Sequence, residues 1–393
     1  MPDYSPFSAE AKADPYGIYA QLRAEAPVYY LEEFDAWALS TFDDVWAASM
    51  DTEHYTATQG TIGDQLLSQS FPVVPMLNVL DPPDHTRIRS VLRPFFGPGR
   101  MRKMAGQVQA VVDELLEGLA DRDHFDAVRD LGDPLAGRVG AMAAGFPLED
   151  VDLLISLVRR FFAREPGIEG MTPDGTAAFQ EMGAYLVELV ATRRARATDD
   201  EDPLNTLLAL DLDGRRLEDQ EIGTHLLLLL LGGFETLPKV LAATLRRLWE
   251  YPDQRAQVTR DSAMAPGAFV EAVRYDMPTQ FLGRTVAREV QIRDQTLRPG
   301  QAVLFLYASA NRDEAEFPEA DRFDITRAAP RILSFGHGQH SCLGIHVAKL
   351  EGRIALESIL SRFPEYEIDL ERSERYVTEF IQGFSSLHFR ASA

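Results

Sequence analysis

Cysteine is nearly absent from this 393-residue chain, where Cys342 stands alone. No intrachain disulfide can form, which fits a reducing cytoplasm and leaves a lone thiol to explain. Basic residues are scarce as well, with 39 Lys and Arg against 61 Asp and Glu and a formal net charge of −22. Phosphate binding needs clustered cations, so nucleic acid is excluded as a partner. Long apolar runs are also missing. The longest, Leu226–Phe234, is too short to span a bilayer and is interrupted by Glu235. The start, Met1-Pro2-Asp3-Tyr4-Ser5, lacks the basic and apolar segments of a signal peptide, and no membrane anchor is expected. No linker, repeat or low-complexity tract marks a boundary, so residues 1–393 are expected to form a single domain.

Helical periodicity dominates what is present. Helices are expected over Asp14–Ala26, Ala105–Leu119, Leu148–Phe162, Ala177–Ala195, Pro203–Ala209, Leu217–Glu250 and Ala265–Tyr275, and from about Leu343. Asp81-Pro82-Pro83-Asp84 reads as a rigid turn opening another helix. Short strands are expected around Val28–Leu31, Trp37–Thr41 and within Phe281–Leu306, so strands collect near the two ends, and Thr198–Asp202 reads as an acidic surface loop. The expected fold is mainly α with a smaller β region.

Four segments carry chemistry. In Phe335-Gly336-His337-Gly338-Gln339-His340-Ser341-Cys342-Leu343-Gly344 two glycines permit tight turns and a helix follows the thiol. A cysteine there meets free N–H groups and the positive dipole end, which favour a thiolate. By themselves these residues also allow a small buried apolar residue, or part of a zinc set with His337 and His340 whose fourth ligand is unnamed. Glu271 and Arg274 lie three apart on one helix face, where they can pair. His85 and Arg89 lie one turn apart just after the Pro-Pro turn. Finally, six leucines from Leu226 precede Gly232-Gly233-Phe234-Glu235-Thr236-Leu237-Pro238. A helix apolar all round is buried, so Glu235 sits where a carboxylate is expensive, and the glycines and Pro238 point to a local distortion.

Phe335-x-x-Gly338-x-His340-x-Cys342-x-Gly344, with Ala348 beyond it, resembles the haem-binding signature of the cytochrome P450 family. The resemblance extends over nearly the whole chain and implies a cytochrome P450-like fold with haem b as cofactor. Cys342 would be the axial iron ligand, with Phe335 and Gly344 beside it. Glu271 and Arg274 resemble the ExxR pair, and Arg327 the loop arginine completing a structural triad. His85, Arg89, Arg284 and His340 would anchor the haem propionates. Glu235 and Thr236 resemble the acid–alcohol pair of the oxygen-binding groove, with Leu237 replacing the usual second hydroxyl residue. Glu235 would relay protons and Thr236 would hydrogen-bond dioxygen.

The implied activity is a monooxygenase that hydroxylates or epoxidises a hydrophobic small molecule. Electrons would come from a separate ferredoxin and ferredoxin reductase fed by NAD(P)H, docking near Arg93, Arg102 and Lys349. Leu228, Leu231, Gly232 and Thr279 would line the substrate pocket together with the 164–176 and 380–386 loops, and Gly167, Gly170 and Gly175 would give a mobile lid. A peroxygenase or haem-dependent isomerase is the second enzyme reading, against which the Glu235–Thr236 pair argues. A haem carrier or gas sensor is the non-enzyme alternative.

Overall fold

The long helix Asp219–Glu250 is the axis of the molecule. It begins two residues later than its sequence pattern suggests, because Glu218 and Glu221 form a capping box that fixes its first turn. Leu226, Leu227, Leu230, Leu231, Phe234, Leu237 and Leu241 are all buried. A fully buried leucine contributes about 1.5–3 kcal/mol, so this helix is held by packing on every side. It is long and apolar enough to cross a membrane by composition, yet 72% of its most apolar window is buried inside the protein. Pro238 lies within it without breaking it. The computed structural model describes residues 3–391 apart from Pro166, Gly167, Glu169, Ala197 and Asp199.

Helices Asp133–Ala144, Pro173–Ala195 and Ala265–Tyr275 pack against this axis. The approach of Asp133–Ala144 is close because Gly140 faces Phe234, where an added Cβ would lie 2.9 Å from the ring. The segment just ahead, Ala127–Gly132, is a π-helical turn that the sequence pattern did not reveal. Helix Pro98–Gly118 starts seven residues before the expected Ala105, since Pro98 is preorganised for the first helical turn.

Five short strands form one sheet in the order Val28–Leu31, Ala36–Leu39, Ala302–Phe305, Leu282–Val286, Tyr55–Thr56. Its one parallel pairing joins Ala36–Leu39 to Ala302–Phe305, strands far apart in the sequence. A second sheet orders Tyr366–Val377, Gln382–Ala391 and His124–Asp126. His124–Asp126 and the small hairpin 211–216 are strands outside the two ends where strands were expected. Gly175 is helical, within Pro173–Ala195, rather than in a loop; Gly167 lies outside the described residues. The expected acidic loop includes Asp199, outside the described residues, and ends in a buried Asp202 that caps helix Pro203–Ala209 and pairs with Arg193 at 2.5 Å.

Candidate active site

The loop that presents Cys342 is shaped by two left-handed glycines, Gly336 at φ 64° and Gly338 at φ 71°. A Cβ on Gly338 would run into the Ser49 carbonyl, so only glycine fits. The Cys342 N–H donates to the Phe335 carbonyl at 2.7 Å and closes the turn. The following helix starts at Ile345 rather than Leu343, with Gly344 as its N-cap. The Cys342 thiol is exposed. The surrounding atoms still crowd it enough for desolvation to raise its pKa, while the Gly344 N–H and Arg89 pull the other way.

Four nitrogen-bearing side chains from distant segments converge next to this loop. The rings of His85 and His340 are 4.3 Å apart. Arg89 donates to the Ser341 carbonyl and, at 3.3 Å, to the Ser341 hydroxyl. Arg284 is buried at the centre of strand Leu282–Val286 and donates to the Gly283 carbonyl at 2.7 Å. Burial, with repulsion from Arg89, pushes His85 down to about 4. Burial, then Arg284, His85 and Arg89, push His340 down to about 2. Burial also lowers the pKa of Arg89 and of Arg284.

Among the described residues no carboxylate forms an ion pair with any of the four. Both ring nitrogens of His85 are buried without a hydrogen-bond partner. Such a cluster is costly unless an anion completes it, and two adjacent carboxylates, such as haem propionates, fit its chemistry. Among the described residues no three His, Cys, Asp or Glu side chains gather around a possible metal, which removes the zinc reading.

Behind the loop, Arg274 donates to both Glu271 oxygens at 2.7 Å, and Arg327 Nε reaches Oε1 at 3.2 Å. The Asp324 N–H donates to the same oxygen at 3.0 Å. Arg274 also donates to the Asn311 and Ala320 carbonyls at 2.7 and 3.0 Å, so the pair ties together several points of the one long connection 311–337. Asn311 carries the grip onward by accepting from the Leu333 N–H at 2.9 Å, just ahead of the cysteine loop.

On the long helix, Gly232 has nothing within 4 Å of an added Cβ and leaves open space there. The Thr236 hydroxyl donates to the Gly232 carbonyl at 3.4 Å. Glu235 is buried and its carboxylate forms an ion pair with Lys239 one turn on. Lys239 has no part in the sequence reading above, although Glu and Lys four apart on a helix is a readable pairing signal. Burial raises the Glu235 pKa, Lys239 lowers it, and Asp133 raises it further. Of the expected pocket residues, Leu231 is buried, while Leu228 and Thr279 are half-buried and Gly232 is exposed. Leu228 and Leu231 lie with Gly232 on one helix, and Thr279 bridges Ile381 on another segment.

A further buried charge cluster went unnoticed in the sequence. Arg164 reaches Glu379 at 3.1 Å and Asp64 at 3.8 Å, joining the loop after helix Val151–Phe162 to helix Gly63–Leu66 and to the turn before strand Gln382–Ala391. Gly170, at φ 75°, lies against Asp64.

Residues 168–374 match the family described as Cytochrome P450. Cytochrome P450 130 of Mycobacterium tuberculosis is 31% identical over 395 residues, covering 98% of this chain and 97% of that one. The vitamin D(3) 25-hydroxylase of Pseudonocardia autotrophica is 33% identical, covering 97% and 94%. Among solved structures, a mutant of P450 EryK in complex with erythromycin B superimposes with a TM-score of 0.87 at 26% identity, over 97% of each chain. With the cysteine loop and buried Glu–Arg pair that the structure displays, the chain belongs to the cytochrome P450 family and is an oxidoreductase of the monooxygenase type.

Proposed function

We propose that this protein binds haem b through the Cys342 thiolate and inserts one oxygen atom of O2 into a hydrophobic small molecule, by hydroxylation or epoxidation. The observation that supports it most directly is the convergence of His85, Arg89, Arg284 and His340, with no counter-ion among the described residues, beside an accessible Cys342. Haem, when bound, supplies the electron transfer to dioxygen and the oxygen insertion. The two arginines and two histidines hold its carboxylates, and the Gly344 N–H with Arg89 favours the charged sulfur. The Glu271–Arg274–Arg327 cluster keeps the loop at a fixed height, which preorganises the ligand.

Thr236 offers a hydroxyl beside the open Gly232, and Glu235 is the carboxyl through which a proton passes toward that hydroxyl. This acid–alcohol pair favours a monooxygenase over a peroxygenase or isomerase. Leu228, Leu231, Gly232 and Thr279 would surround a mostly apolar substrate. The two electrons per turnover would come from a ferredoxin and its reductase, drawing on NAD(P)H. Arg93 and Lys349, exposed and both close to His346, and exposed Arg102 supply cations for an acidic partner on an otherwise acidic protein.

The test is the absorption spectrum of the purified protein reduced with dithionite under carbon monoxide. A red-shifted thiolate Soret band in the wild type, lost in Cys342→Ala, is expected. A colourless wild type after adequate haem supply, or an unchanged band in the variant, would overturn the assignment. Spin-state shifts across a panel of terpenoids, steroids, polyketides and aromatics then identify the substrate class.

A further inference from the structure

The ion pair between Glu235 and Lys239 is buried at both ends, with each side chain 7% exposed. Taking two charges out of water is expensive, and a surface-seeking lysine is an unusual choice for a core helix. The lysine ammonium also donates to the Glu235 carbonyl at 3.3 Å, so it is held at one place by both acceptors.

Lys239 has a second neighbour, a polar cleft of about 160 Å³. Gln280, Gln382, Arg246, Arg247 and Asp276 line its walls, and exposed Asp14 and Arg375 reach its rim. The cleft is wide enough to admit water, and its polar walls offer water hydrogen-bond partners. Gly383 lies against the Lys239 chain, and a Cβ there would sit 2.8 Å from it, so the backbone itself keeps the lysine aimed along its present course. From the other side, Asp133 and Arg159, paired at 2.8 Å through Arg159 Nε, act on Glu235 only through space.

We propose that Lys239 is the solvent-side relay for Glu235, so that protons reach the Gly232–Thr236 groove from the cleft between the long helix and the Gln382–Phe384 segment. The inference rests on the Glu235–Thr236 reading above. The step is a simple transfer. The Lys239 Nζ–H bond breaks, an O–H bond forms on the Glu235 carboxylate, and the neutral amine is reprotonated by a proton passed in from bulk solvent through the cleft, so that one solvent proton moves inward and no hydroxide is left behind. Glu235, now neutral, is released from its partner and can turn toward Thr236. The part of Lys239 is to load and orient the acid.

The decisive variants are Lys239→Arg and Lys239→Ala, with Glu235→Gln as the reference, all in the holoenzyme with a surrogate ferredoxin, its reductase and the compound giving the largest spin-state shift. Arginine keeps the charge but does not release its proton. Both lysine variants should keep the thiolate–CO band and substrate shift, lose product formation at least about 10-fold, and divert reducing equivalents to peroxide, with a larger solvent deuterium isotope effect. In Lys239→Ala, methylammonium should restore turnover and tetramethylammonium, which carries no transferable proton, should not. Independently of turnover, the infrared spectrum of Lys239→Ala should gain a protonated carboxyl band that is absent from the Lys239→Ala/Glu235→Gln double variant.

Wild-type turnover in Lys239→Arg, or equal rescue by both ammonium ions, would reduce Lys239 to a charge partner and overturn the relay. Slowed Glu235→Gln beside unimpaired lysine variants would do the same while leaving the role of Glu235 intact. Unimpaired Glu235→Gln would remove the acid–alcohol reading, and the relay with it.

Discussion

Asp64 is a buried carboxylate whose own stability cost can be read from its surroundings. Its side chain is fully buried and neither oxygen has a well-formed hydrogen bond. Burial and then the neighbouring Glu379 push its pKa up to about 6, against the opposing pull of Arg164 and, more weakly, Lys12. A raised folded pKa means that the folded protein holds this proton more tightly than the unfolded chain does. The stabilisation is therefore complete below the unfolded value, near 4, and is lost as pH rises through about 6.

A shift of about 2 units is worth about 3 kcal/mol, and about half of that remains to be lost between roughly pH 5 and pH 7.5. Asp64→Asn removes the titration and keeps the shape, and Arg164 retains Glu379. Urea unfolding of wild type and variant at several pH values should show their stability difference moving by about 1–2 kcal/mol in favour of the variant over that window. Parallel pH profiles would refute the reasoning and place the Asp64 proton in water in both states.

Glu271→Gln strips the charge that holds two guanidinium groups, so a loss of about 3–5 kcal/mol and poor haem retention are expected, measured by unfolding midpoint and haem-to-protein ratio. Thr236→Ala should leave haem and substrate binding intact while raising peroxide per NAD(P)H consumed, read with a peroxide assay. Arg284→Met removes a buried donor from the nitrogen cluster and should weaken haem retention about 10-fold or more, followed by transfer to apomyoglobin. Gly140→Ala forces a Cβ against the Phe234 ring and should cost about 1–3 kcal/mol in thermal unfolding without moving the CO band.

The long helix and the cysteine loop were legible because their signals are local. Six leucines in a row mark a helix embedded in the core, and glycines two apart ahead of a lone thiol specify a tight turn. Glu271 and Arg274 share a helix, so their pairing was visible, and the downstream arginine followed from resemblance. What escaped were contacts set by three-dimensional neighbours. Asp64, Arg164 and Glu379 lie in three segments with no common pattern, and Asn311 serves Leu333 through a loop. Lys239 was hidden differently: its spacing from Glu235 was readable, but only burial shows that the pair is internal. Boundaries moved where capping overruled periodicity, at Pro98 and at Glu218.

The parallel ladder between Ala36–Leu39 and Ala302–Phe305 has a consequence for biosynthesis. The strand with Arg284 joins the sheet through that same Ala302–Phe305 strand. As the ribosome releases the chain from its N-terminus, the first hairpin has an open edge until nearly four-fifths of the protein has been made. An unpaired edge held that long invites pairing with other chains. Completion of the haem pocket is thus a late event, and nascent fragments ending before Ala302 should be the ones that recruit chaperones.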